Sequence, residues 1–141
     1  MIKSMHSLAW VRCVCLVGAL GAPAAGSGGN LALEARASAS EDFGPELLAA
    51  FANDGTTATR WSAISGHNEG IWFELDWPAA VTMRQVVIQQ YDTYVKELDL
   101  QIWDAARGDW RTLQHFGTPD EKLPLVVVAT FAPVESTKLR I

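Results

Sequence analysis

Between Glu97 and Asp104 the chain reads ELDLQIWD, and apolar and polar residues alternate. Leu98, Leu100 and Ile102 fall on one face, and Glu97, Asp99 and Gln101 on the other. A helix would scatter that set around its circumference, whereas a strand sends successive side chains to opposite faces. The stretch therefore predicts a half-buried strand. The turn-rich DAARGD and the following WRTLQHF predict that it returns as a hairpin.

The same grammar runs through the rest. IWFELDW puts Ile71, Phe73 and Leu75 on one face, opposite Trp72, Glu74 and Asp76. In VTMRQVVIQQ the apolar phase slips between Met83 and Val86, which predicts a β-bulge. LALEARASA (31–39) reads as a weak first strand, PELLAAFAND as a turn or two of helix, and LVVVATF as a continuously buried run. KLRI reads as the beginning of another strand. The pattern breaks off inside it at Ile141, as in a truncated or short-ended domain. Short strands divided by turns, with no long amphipathic helix, predict an all-β sandwich or barrel. Trp61, Trp72, Trp77, Trp103 and Trp110 supply bulky side chains, mostly for its core.

Residues 1–24 read differently. Lys3 and Arg12 stand without any acidic residue, and the apolar CVCLVGALGAPAA that follows is too short to span a bilayer. Ala22-Pro23-Ala24 is a small-x-small cleavage pattern, so the expectation is a secretory signal peptide removed after Ala24. The alternative is a core helix or membrane anchor. GSGG (26–29) belongs to a flexible lead-in over 25–30, and 31–141 makes one domain. Both cysteines, Cys13 and Cys15, lie in the leader, so the mature chain has no disulfide framework and no thiol chemistry. Losing Lys3 and Arg12 moves the net charge from −5 to −7. That balance disfavours nucleic acid and anionic membrane as partners, since both select basic surfaces. The expected destination is extracellular or periplasmic.

Catalytic signatures are missing. There is no Gly-x-Ser-x-Gly, no His-Glu-x-x-His and no phosphate-cradling loop. Beyond the leader the histidines are His67, in SGHNEG beside Glu69, and His115, in a strand context suited to a surface residue. A binding module is expected, not an enzyme.

The stretch NDGTTATRW (53–61) invites a closer reading. Asp54 offers a carboxylate, Thr57 and Thr59 offer hydroxyls, and Gly55 permits a sharp bend that turns carbonyls inward. A hard cation such as Ca2+ takes six or more such oxygens at about 2.3 to 2.6 Å. A single carboxylate is few for that purpose, so a plain Asp-Gly turn with Trp61 as its anchor stands beside the metal reading.

Taken in order, AFANDGTTATRWSA, IWFELDWPAAVTMRQVVI, ELDLQIWDAARGDW and FAPVESTKLRI resemble the discoidin, or coagulation factor V/VIII type C, family. Its bacterial members include family 32 carbohydrate-binding modules. The resemblance spans Asn30 to Ile141. It implies an antiparallel jelly-roll sandwich of the galactose-binding-domain type that grips ligands through loops at one end. It also implies a structural Ca2+ held by the Phe51 carbonyl, the Asp54 side chain, the Thr56 carbonyl, and Thr59 through carbonyl and hydroxyl. The family often adds a Glu from a last strand, and this sequence stops before that strand. Pro78 stands where the family usually has Gly, which implies a different turn at Asp76-Trp77-Pro78. Three segments correspond to the family's ligand loops: SEDFGP with Glu41 and Phe43, SGHNEG with His67, Asn68 and Glu69, and QQYDTYVK with Tyr91, Asp92 and Tyr94. The function so implied is recognition of terminal sugars on glycans, with protein–protein or cell adhesion through the same loops as the alternative.

Overall fold

The computed structural model describes residues 29–67, 69–92 and 95–141, and the backbone of residues 10–14. Among these, seven strands pair antiparallel throughout: β1 (Trp10–Val14), β2 (Arg36–Ala39), β3 (Trp61–Ser62), β4 (Phe73–Gln90), β5 (Glu97–Asp104), β6 (Asp109–Gly117) and β7 (Val126–Arg140). Their order is β3-β1-β4-β7-β5-β6, with β2 beside the first part of β4. The helical pieces among the described residues are two 3-10 turns, Leu31–Glu34 and Ala49–Ala52. None of the described helices is long and apolar enough to cross a membrane.

The 18-residue β4 organises the rest. Along one edge it pairs with β7. Along the other it pairs first with β2, from Phe73 to Asp76, and later with β1, from Val87 to Gln90. The ladder with β7 slips twice, between Asp76 and Val81 and between Met83 and Gln85. The second slip is the bulge that the change of apolar phase predicts. Before it Phe73, Leu75 and Met83 are buried, and after it Val86 and Ile88 are. Pro78 lies in the first gap, and Pro133 lies opposite Arg84 in the second, so neither ring removes a ladder hydrogen bond. Both parts of β4 feed one core with Leu100 and Ile102 of β5 and Val127, Ala129 and Leu139 of β7. The sheet closes over that core as an antiparallel β-sandwich.

Several expectations change in the structure. Residues 31–39 are not one strand, because only Arg36–Ala39 pairs with β4. Asn30 Oδ1 accepts from Ala32 N (3.1 Å), and Asn53 Nδ2 donates to the carbonyls of Ala32 (2.7 Å) and Ala35 (2.9 Å). Those bonds take the backbone groups that a longer ladder would use. LVVVATF is not continuously buried: Val127 and Ala129 face the core, while Val126, Val128 and Thr130 are exposed. KLRI ends β7 instead of opening a new strand, and Asp76-Trp77-Pro78 is an irregularity within β4. Trp61 and Trp77 are buried, and Trp72, Trp103 and Trp110 only partly so. The expected leader overlaps β1, and its other residues lie outside the described ones.

Candidate functional site

An open depression of about 490 Å3 lies where the end of β2 meets the loop from Ser65 to Gly70. Two anchors bring these segments together. Ser40 N donates to Trp72 O (2.9 Å), and Trp72 N donates to Ser40 Oγ (3.1 Å), which ties the β2 exit to the entry of β4. The next residue, Glu41, is then held at three points. Its carbonyl accepts from Trp61 Nε1 (2.9 Å), Oε1 accepts from Ile64 N (2.7 Å), and Oε2 lies 2.7 Å from His67 Nδ1. Gly66 and Gly70 adopt φ of +90° and +70° on either side of His67 and Glu69, a conformation that a side chain would strain.

Because a carboxylate only accepts, the hydrogen in the Glu41–His67 contact sits on Nδ1. In the neutral imidazole, Nε2 then presents a lone pair. The His67 hydrogen bond is the main cause holding the Glu41 carboxyl below its ordinary value; desolvation opposes the shift and the Ile64 amide adds to it. Each Glu41 oxygen keeps further acceptor capacity beyond its present bond. Glu69 adds an exposed carboxylate to the rim. The Ser40 hydroxyl donates to Trp72 O and accepts from Trp72 N, so it is not paired with a base.

Of the residues expected to contact ligand, the depression joins Glu41, His67 and Glu69, with Ser40, Gly66, Gly70 and Ile71 completing the lining. Phe43 is exposed beside β3, with its amide on Ser62 O (2.8 Å), and does not line it. Tyr91 and Asp92 are exposed at the end of β4, where the Arg60 guanidinium lies 4.0 Å from the centre of the Tyr91 ring. Asn68 and Tyr94 lie outside the described residues. Ser40 and Ile71 escaped the sequence reading. The signal that could have found the loop is the glycine pair bracketing HNE.

The Asp-Gly loop is folded on itself. Asp54 Oδ1 accepts from Thr56 N (3.1 Å), Oδ2 accepts from Thr59 Oγ1 (2.5 Å), and Thr56 Oγ1 accepts from Ala58 N (3.1 Å). Gly55 has φ +82°, and a Cβ there would meet Leu33 Cδ2 at 3.2 Å. The loop offers one carboxylate, already bonded at both oxygens. Among the described residues no cluster of three His, Cys, Asp or Glu could hold a metal ion. A hard cation here would draw on Asp54, Thr59 and the carbonyls of Phe51 and Thr56, with the Thr59 hydroxyl turned away from Asp54.

Known proteins share this fold. The structure is similar to chitosan-binding module 2 of a chitosanase/glucanase from Paenibacillus sp. IK-5, solved in complex with chitotriose. The TM-score is 0.67 at 23% identity, and the match covers 79% of this chain and 84% of that one. Chitosan-binding module 1 of the same enzyme matches with a TM-score of 0.66 and 25% identity, over 79% and 83% of the two chains. CpGH89CBM32-5 from Clostridium perfringens, in complex with GalNAc-β-1,3-galactose, matches with a TM-score of 0.60 and 15% identity, over 77% and 83%. Among curated proteins, none matches this chain in sequence. The sequence profile of the F5/8 type C domain matches residues 35–141, which holds every described strand except β1. The chain belongs to the F5/8 type C domain family.

Proposed function

We propose that this domain is a non-catalytic carbohydrate-binding module that takes a terminal sugar in the depression around Glu41, His67 and Glu69. The observation that carries the reading is the Glu41 carboxylate, fixed by the Ile64 amide and His67 while Trp61 holds the Glu41 carbonyl, in an open, polar site. Fixed acceptors of this kind suit hydroxyls. Two carboxylates on one rim also suit the ammonium group of an amino sugar, through charge-assisted hydrogen bonds. The resemblance to modules that bind chitotriose and GalNAc-β-1,3-galactose supports the class. The depression is shallow, so affinity per site is weak, and the module would act by holding an attached partner near its glycan. Secretion, through removal of the N-terminal leader, is part of the same proposal.

A glycan array followed by binding isotherms tests it. Chitotriose should bind saturably, and Glu41→Gln should weaken binding about tenfold, the loss of one charge-assisted contact of about 1.4 kcal/mol. A folded domain that binds no glycan saturably would overturn the reading and favour adhesion to protein instead.

We also propose that the Asp54 loop holds Ca2+ weakly, as a structural ion. Adding EDTA should then lower the melting temperature, because a ligand of the native state stabilises it by mass action. An unchanged melt, with or without added Ca2+, would contradict it.

A further inference from the structure

The depression holds three titratable side chains, which reach it from two directions: Glu41 from the exit of β2, and His67 and Glu69 from the loop that precedes β4. His67 Nδ1 and Glu41 Oε2 are 2.7 Å apart, with the Glu41 side chain 17% exposed and that of His67 55%. The carboxylate is therefore sheltered, and the ring is open to water and ligand. Ile64 steadies both partners. Its amide donates to Glu41 Oε1 (2.7 Å), and its carbonyl accepts from His67 N (3.1 Å). Such a pair presents one of two chemistries. With the ring neutral, Nδ1 gives its hydrogen to Glu41 and Nε2 keeps a lone pair, so both carboxylate charges of the depression stand unopposed. With the ring protonated, Nε2 becomes a donor, and its positive charge cancels one of the two. An ammonium group is attracted to the first state and meets a cation in the second. An uncharged hydroxyl or acetamide finds an acceptor at Nε2 in the first state and a donor in the second, so it tolerates both.

We propose that His67 sets the specificity of the depression: with its ring neutral the site selects the ammonium group of an amino sugar, and with its ring protonated it loses that preference while still taking uncharged sugars. The inference rests on the sugar-binding reading of this site. The His67 hydrogen bond, first among the causes, holds the Glu41 carboxyl below its ordinary 4.5. Glu41 therefore stays charged over the range in which an imidazole gains its proton, roughly pH 8 to 5. Selectivity for the amino sugar falls in mild acid, although the sugar's own ammonium is most fully charged there. Attraction between a cation and two fixed carboxylates, without the ring, has the opposite trend.

Binding isotherms of the wild-type chain and of His67→Gln, whose amide can still donate to Glu41 but cannot take a proton, provide the test. Chitotriose and its fully N-acetylated counterpart are titrated into each protein at about pH 7.5 and about pH 5.5, on either side of the usual imidazole range. The ligand's own titration is common to both proteins and cancels in the ratio of their affinities. For chitotriose, the advantage of His67→Gln over wild type should grow about fivefold or more between the two pH values. For the acetylated trisaccharide that ratio should stay within about twofold, since an uncharged ligand is below the usual range of coupling. A constant ratio for chitotriose, or an equal change for both ligands, would overturn the inference and leave the sugar site standing. Chitotriose that binds neither protein at either pH would overturn the reading of the site and this inference with it. A second readout needs no variant. Because linkage is reciprocal, saturating chitotriose should move the NMR titration curve of the wild-type His67 ring to lower pH. A curve that stays in place, or moves to higher pH, in the presence of bound chitotriose would overturn the proposal.

Discussion

Glu74 shows what a single position can conceal. By alternation it belongs on the outer face of β4, opposite Phe73 and Leu75, yet its side chain is only 8% exposed. Lys138 Nζ donates to Oε1 and Arg140 Nη2 to Oε2, both at 2.9 Å, and the Arg140 guanidinium packs over Trp110 (3.9 Å) and Trp72 (4.8 Å). Period-two reasoning sees the face of a strand but not what a partner 66 residues away lays over it. Glu41 was legible only in part for the same reason: SEDFGP marked a loop, but its bond to His67 spans 26 residues. At this scale two exposed pairs set a pH dependence. His115 is held above its ordinary 6.5, first by the hydrogen bond from Nδ1 to Asp99 (2.8 Å). Its contribution is therefore complete below 6.5 and is lost as pH rises through the folded-state value. Glu41 is held below its ordinary 4.5, so its contribution is present above 4.5 and is lost as pH falls through the folded-state value. Both pairs face solvent and act weakly. An NMR titration should show the His115 ring titrating above 6.5, with the upward shift reduced in Asp99→Asn, where Glu97 and the Gly117 backbone still act. An unshifted ring in the wild type would contradict the assignment.

Among the elements, the β5–β6 hairpin was the most legible, because the alternation of β5 and the Asp104–Gly108 turn mark it, although its ladder slips once, between Leu100 and Gln101. The bulge in β4 was legible from the apolar phase alone. β7 was not, because Val126, Val127 and Val128 are equally apolar and the sequence does not say which of them meets the core. The structure makes Val127 the buried one (4% exposed) and Val128 an exposed one (51%). Val128→Lys should therefore change stability by no more than about 0.5 kcal/mol. Val127→Lys buries an ammonium group without a partner and should cost about 4 kcal/mol or more. Urea unfolding of the two variants distinguishes these outcomes, and equal losses would show that β7 is buried on both faces. Of the Leu31–Ala39 stretch only Arg36–Ala39 became strand, since Asn30 and Asn53 capture the backbone groups of the part before it.

Across the whole molecule, the order of the segments around NDGTTATRW carried the family, while individual spacings did not. The loop proves to be a self-bonded turn whose Trp61 is an anchor of the core, 2% exposed beside Phe73. The candidate site draws on the chain on both sides of that anchor: Glu41, 20 residues before Trp61 and bonded to it, and the loop from Ser65 to Gly70 that follows it. The central claim is that this convergence binds sugar. Amide chemical-shift mapping during a titration with chitotriose tests it most directly. Saturable shifts should concentrate at Ser40, Glu41, Gly66, His67, Glu69 and Gly70. Shifts centred elsewhere on the folded domain, or none at all, would contradict the account.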